Sequence, residues 1–324
     1  MEMRKIGSLS VSAIGLGCNN FGGRLDSAQT TEVVSAALDS GINLLDTADI
    51  YGATKSEEYL GQALRGRRDR AIVATKFGMR VDDERQGAAP AYVRQACEDS
   101  LRRLGMDTID LYWLHQPDPS VPIADTLAAM HALVTEGKVR EIACSNFSAA
   151  QLREADKAAR QLGGPRFVAV QNEYSLFVRE PEGDIPTDDG SVAREETDKR
   201  GVLKQCDELG ISFVPYFPLA SGLLTGKYHA GQPAPDGTRL SSAGAWQRFG
   251  GDERIDTVER LRSWCADNGQ SLLELAHSWL LRHSCVASVI SGATKPGQAI
   301  ANAAAGDWKL NGSQLTEIEE ILAG

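Results

Sequence analysis

The sequence predicts an α/β fold: a (β/α)8 TIM barrel, parallel and eight-stranded, with a short N-terminal hairpin and extra C-terminal helices. Three observations predict it. Short apolar runs alternate with longer stretches of helical period. The alternation recurs eight times, and 324 residues suit one barrel of that class. Such strict repetition favours a closed barrel over the open, doubly wound sheet that is the runner-up. Residues 1–324 are therefore expected to form a single barrel domain.

Residues 3–12 precede the first strand and read as the hairpin, placed to close the barrel bottom. Strand runs follow at 13–17, 43–46, 71–76, 109–115, 139–144, 167–171, 211–216 and 286–290. Helical period marks 27–40, 55–65, 90–104, 122–136, 148–161, 196–209, 252–268 and 271–283, with 294–305 and 313–323 as terminal helices. Ser27, Ser148 and Ser271 stand where a side-chain oxygen can cap free N–H groups. Gly41, Gly105, Gly137 and Gly210 stand where a left-handed residue ends a helix. Two segments break the rhythm. Residues 179–200 are polar and rich in turn formers, and read as a mobile surface loop running into the sixth helix, with an inert extension favoured ahead of a lid over the mouth or a contact surface. Residues 217–251 have almost no periodicity and read as one long loop after the seventh strand.

Composition narrows the function classes. A net charge of −10 with no long basic run argues against nucleic-acid binding, which depends on neutralising phosphates. The six cysteines are scattered without a C-x-x-C pair, as in a reduced, cytoplasmic chain. Gly7, Ser8, Ser10 and Ser12 spoil the N-terminal stretch as a signal-peptide core. No run of about 18 apolar residues is present to insert in a membrane. His131, His229, His277 and His283 lack ligand spacing among themselves or with the cysteines, so no metal site is expected.

A parallel barrel builds its active site where the strands deliver their C-terminal ends. Those ends carry Asp46, Lys76 and His115 in succession, and Tyr51 follows Asp46 on the loop leaving the second strand. Singly, each has a plainer reading: a turn aspartate, a solvated lysine, a structural histidine. Their arrival at successive strand ends favours a shared chemistry. Reduction of a carbonyl needs a hydride, which no side chain supplies, and a proton for the developing alkoxide. Tyrosine, with a reference pKa of about 10, needs help to act as that acid. An ammonium beside it lowers its pKa, so Lys76 suits that task and Asp46 suits holding Lys76 by an ion pair. His115 would orient the carbonyl oxygen by hydrogen bonding.

The stretch GINLLDTADIYGATKSEEYLG (41–61) resembles the signature of the aldo-keto reductases. ATKFG (74–78), DLYWLHQPD (110–118) and GKVREIACSNFS (137–148) match its successive blocks. The resemblance implies an NADPH-dependent enzyme that reduces aldehydes or ketones, with Asp46, Tyr51, Lys76 and His115 as its catalytic residues. It implies that Ser145, Asn146 and Gln171 hold the nicotinamide carboxamide and that Tyr216 stacks on the ring. YFPLASGLLTGKY (216–228) is similar to the pyrophosphate strap, with Leu219, Ser221, Gly222 and Lys227 as contacts.

SVISGATKPGQAIAN (288–302), with Gly292, Thr294, Lys295, Gln298 and Asn302, resembles the segment receiving the adenosine end of NADP. Gly292 stands where many members have a basic residue, and Ala301 where many have a carboxylate. That weakens the preference for NADP over NAD without removing it. GLGCNNFGG (15–23) lacks the third glycine of a dinucleotide fingerprint and opens no helix at once. In the family this loop lines the cleft, which implies nicotinamide contacts from Gly17, Cys18 and Asn19. Asn19 and Asn20 replace a common aromatic residue there, which fits a more polar substrate.

A cofactor-binding auxiliary subunit of a membrane channel, acting as a sensor with little turnover, would keep the same four residues. A barrel hydrolase would need two carboxylates at strand ends, and only Asp46 is well placed. Substrate identity and self-association are left open by the sequence.

Overall fold

Period-two alternation decides how the strands are used. The computed structural model describes residues 1–184, 198–241 and 243–324. Its strands are β1 Met3–Ile6, β2 Leu9–Ser12, β3 Ile14–Gly17, β4 Leu44–Asp46, β5 Ile72–Phe77, β6 Ile109–Leu114, β7 Val139–Ser145, β8 Ala169–Gln171, β9 Ser212–Phe213 and β10 Val289–Gly292. β1 and β2 form an antiparallel hairpin. The other eight form one parallel sheet in the order β10-β3-β4-β5-β6-β7-β8-β9. Parallel bridges Phe213–Val286 and Tyr216–Ile290 join its two edges, so the sheet curls into a barrel.

Successive side chains of a strand face opposite ways. One set meets the helices. The other turns inward, and Leu44, Ala74, Leu111, Trp113, Ala143, Ala169 and Val214 fill the interior together with Ile6, Leu9 and Val11 of the hairpin. Each hairpin aliphatic buried there is worth about 1.5–3 kcal/mol. Polar ties fix the hairpin in place: Asn43 Oδ1 accepts from Ser12 N at 2.7 Å, and Ser212 Oγ donates to Lys5 O at 2.9 Å. The barrel bottom is closed as the sequence predicts.

The helices among the described residues are α1 Ser27–Asp39, α2 Lys55–Ala63, α3 Pro90–Leu104, α4 Ile123–Thr135, α5 Ala149–Leu162, α6 Val202–Leu209, α7 Ala243–Phe249, α8 Asp252–Asp267, α9 Leu272–Leu281, α10 Pro296–Ala304 and α11 Gly312–Ala323. Ser148 and Ser271 cap α5 and α9 through reciprocal boxes with Gln151 and Glu274. The first cap is one residue earlier than expected: Asp26, not Ser27, accepts from Gln29 N. Gly105 and Gly210 end α3 and α6 in the left-handed conformation. Gly41 and Gly137 lie one position beyond their caps, Ser40 and Glu136.

Other boundaries also differ. The sixth helix begins at Val202 rather than 196, because Gly201 at φ 72° forms its N-cap and residues 198–201 lie outside the helix. Within the 179–200 segment, residues 185–197 lie outside the described residues. The 217–251 segment is not a bare loop: Ala220–Thr225 and Arg239–Ser241 form 3-10 turns, and α7 follows. Elements this short give no periodic signal. Among the described residues, no helix is long and apolar enough to cross a membrane.

Candidate active site

The inward residues change character two positions further along each strand. Above the apolar layer stand Asp46, Lys76, His115, Ser145, Gln171 and Tyr216, each two residues beyond an interior apolar side chain of its own strand. The same alternation that fills the barrel thus aims these polar groups into its mouth.

Lys76 is completely buried, and its Nζ lies 2.5 Å from Asp46 Oδ2, itself 4% exposed. The ammonium also donates to Thr47 O at 2.9 Å and approaches the Tyr51 hydroxyl at 3.5 Å. Gln171 Nε2 donates to the second Asp46 oxygen at 3.2 Å. The rings of Tyr51 and His115 meet edge-on with centroids 5.9 Å apart. Asp46, Tyr51, Lys76 and His115 therefore converge.

Tyr51 is set by a run of left-handed backbone after it, with Gly52, Ala53 and Thr54 all at positive φ. Glycine is required at 52, since a Cβ there would lie 2.4 Å from Phe21 O. Ala53 and Thr54 store strain of about 1–3 kcal/mol each.

Burial opposes charge on Lys76, but the Asp46 carboxylate and the Tyr51 hydroxyl outweigh it and raise the lysine pKa. Burial pushes the Asp46 carboxyl up, opposed by Lys76 and by the Gln171 hydrogen bond. The tyrosine departs from expectation. Burial drives its pKa up, and Lys76 reverses only part of this because the Asp46 charge also raises it. Tyr51 is thus a firmly protonated phenol with a cation at hand. Burial, with Lys76, holds the His115 pKa well below the usual value, so its imidazole is neutral. Its Nδ1 is buried with no partner among the described residues.

Behind this group, Asp49 is buried, and its Oδ1 has no hydrogen-bond partner among the described residues. Burial and the neighbouring Glu57 charge raise its pKa to about 7. A carboxyl raised on folding stabilises the fold below its unfolded pKa of about 3.9, and this contribution is lost as pH rises through the folded value. Asp49→Asn should therefore stabilise the chain increasingly from about pH 4 to about pH 8, with a ceiling of about 4 kcal/mol. Urea unfolding across that range checks it. An equal gain at every pH would assign the effect to packing.

Ser145, Asn146, Gln171 and Tyr216 form a second cluster. Ser145 Oγ donates to Gln171 O at 2.8 Å, Asn146 Nδ2 to His115 O at 2.9 Å, and Tyr216 OH to Asn146 Oδ1 at 2.9 Å. Outward from it runs a cavity of about 610 Å³. Asn19, Leu219, Ser221, Gly222, Lys227, Gly292, Thr294, Lys295, Gln298 and Asn302 all line it. Gly17 pairs with Gly292 across β3 and β10. Cys18 is fully buried, its N–H bonded to Asp46 O and its carbonyl accepting from Phe21 N and Ser56 Oγ, and neither it nor Gly17 lines the cavity.

Sequence reasoning missed Arg24, Phe217 and Arg239, which line the same cavity with Asn20. Arg239 lies in the aperiodic stretch, where no motif marks it. Asn20 donates to Ala293 O at 3.3 Å and accepts from Arg239 at 3.4 Å. Its amide also sits 3.3 Å from where a Cβ at Gly292 would stand, so a larger residue there would have to push the amide aside. Among the described residues, no cluster of His, Cys, Asp and Glu could hold a metal ion.

Residues 13–323 match the family model described as "Aldo/keto reductase family". The chain is 32% identical over 320 residues to a probable aldo-keto reductase 1 of Glycine max, a match covering 96% of this chain and 86% of that protein. It is 33% identical over 333 residues to aldo-keto reductase YhdN of Bacillus subtilis, covering 99% and 94%. Among solved structures it resembles the glycerol dehydrogenase AKR11B4 of Gluconobacter oxydans, with TM-score 0.82, 28% identity and coverage of 99% and 95%. The aldo-keto reductase AKR11C1 of Bacillus halodurans in holo form gives TM-score 0.75, 30% identity and coverage of 99% and 96%.

Proposed function

This chain belongs to the aldo/keto reductase family, and from that premise we propose that it reduces aldehydes or ketones with NADPH, Tyr51 delivering the proton. One observation carries the reading: the fully buried Lys76–Asp46 pair at 2.5 Å, with the ammonium 3.5 Å from the Tyr51 hydroxyl.

The cavity residues fit a dinucleotide. Arg24, Lys227, Arg239 and Lys295 line the cavity against one carboxylate, Asp236. That local excess of cations, in a chain of net charge −10, suits the phosphates of NADPH. Lys295 and the start of α10 would take the 2′-phosphate, with Gln298 and Asn302 at the adenosine. Gly222 lies on the strap, where a Cβ would come 3.3 Å from Lys227 Nζ. Its bare backbone leaves room for a phosphate. Ser145, Asn146 and Gln171 would hold the carboxamide, and Tyr216 the ring.

The bound nicotinamide supplies the hydride. His115, kept neutral, donates an N–H to the carbonyl oxygen and orients it. As charge develops on that oxygen, the Tyr51 O–H gives up its proton to it, and Lys76 stabilises the phenolate left behind. Asp46 fixes the ammonium through their 2.5 Å ion pair. The reverse sequence oxidises an alcohol. Asn19 at the mouth suits polar carbonyl compounds.

Paired titration with NADPH and NADH, followed by cofactor oxidation against aldehydes, ketones and sugars, tests the proposal. NADPH is expected to bind at least about tenfold tighter, the worth of roughly one charge-assisted contact. Tenfold preference for NADH would remove the role given to Lys295.

A further inference from the structure

Asn146 is held at every polar atom it has. Its N–H donates to Gln171 O at 2.9 Å, its Nδ2 to His115 O at 2.9 Å, and its Oδ1 accepts from Tyr216 OH at 2.9 Å. The fourth tie comes from Lys199, whose Nζ donates to Asn146 O at 2.6 Å. Asn146 needs such ties, because its backbone is left-handed at φ 62°. Asparagine tolerates that conformation better than most residues, yet it persists only where the surroundings enforce it.

Lys199 is itself delivered by fixed structure. Asp198 binds Arg200 through both its oxygens, and Gly201 at φ 72° turns the chain into α6. Gly201 N donates to Glu182 O at 3.3 Å, and Leu203 N to Pro181 O at 3.1 Å, so the turn is anchored to residues 181–182. Arg153 Nη1 donates to Gln205 at 2.8 Å and ties α6 to α5. The ammonium is half-buried, and that burial lowers its pKa against the acids around it, Glu180 and Asp198. Desolvation strengthens its hydrogen bond to the carbonyl.

We propose that Lys199 is a positioning residue for the nicotinamide end of the cofactor: by clamping the Asn146 carbonyl it holds the strained backbone that aims the Asn146 side chain. Residues 198–201, at the end of the polar 179–200 segment, are then part of the active-site scaffold rather than an inert extension. This rests on the reading of Ser145, Asn146 and Gln171 as the carboxamide site.

The test measures binding with two probes, NADPH and 2′,5′-ADP, which shares the adenosine end but lacks the nicotinamide. Lys199→Met should weaken NADPH about tenfold, the cost of one charged hydrogen bond, and leave 2′,5′-ADP unchanged. Lys199→Arg, which can still donate, should recover most of the loss. Unchanged NADPH affinity in Lys199→Met overturns the proposal. So does parallel weakening of both probes with a lowered Tm, which would mean a merely structural lysine. A wild-type chain that binds 2′,5′-ADP no more weakly than NADPH would instead remove the carboxamide reading, and the clamp's purpose with it.

Discussion

Tyr51→Phe is expected to lower the rate of carbonyl reduction by about a thousandfold, within the range of general acid catalysis, while NADPH affinity stays within about twofold. The substitution removes one oxygen, which lies 3.5 Å from Lys76 Nζ, and preserves the ring packed edge-on against His115. Because the proton moves only in the transition state, kcat and kcat/KM should fall together, with KM little changed. The Lys76–Asp46 pair survives, so the fold should not suffer. Full reduction rates in Tyr51→Phe would sink the assignment. A wild-type chain that binds NADPH tightly yet turns over no carbonyl would point to a cofactor sensor instead.

Lys76→Met should be the most damaging single change. It strips a buried carboxylate of its partner, and leaving one member of such a pair uncompensated costs about 3–5 kcal/mol. It also removes the cation that stabilises the phenolate, so turnover should fall at least as far as in Tyr51→Phe. The two effects can be separated. Asp46→Asn combined with Lys76→Met removes the stranded charge and should regain much of the stability, by urea unfolding, without regaining activity. Recovery of turnover in the double variant would show that Lys76 acts on structure alone. In a partly active Lys76→Arg, retention of the cation should keep the alkaline limb of the reduction profile near that of the wild type. Loss of the cation shifts this limb upward, since Lys76 is what pulls the already raised Tyr51 pKa down.

The fold was legible because barrels repeat. Each apolar run of about five residues, followed by a helical stretch and a cap, is a local signal, and eight in succession leave few alternatives. Three of the four converging residues were legible for a related reason. Asp46, Lys76 and His115 sit at strand ends, and the parity of the strand decides that they face inward with Leu44, Ala74 and Trp113. Boundaries were less legible: β9 shrinks to Ser212–Phe213, although Val214 and Tyr216 continue the hydrogen bonding to residues beyond it.

The sequence by itself pointed to the barrel and to Asp46, Lys76 and His115 at successive strand ends, because these follow from period and position along each strand; Tyr51, on the loop after Asp46, rested on the family resemblance. Only the tertiary structure decided how strongly each is buried, and hence that Tyr51 is raised rather than lowered in pKa. It alone brought Arg239 to the cavity and Lys199 to the Asn146 carbonyl, from stretches with no period to read. Desolvation and contact across more than 50 residues of chain, as between Lys199 and Asn146, depend on three-dimensional neighbours, which local pattern does not encode.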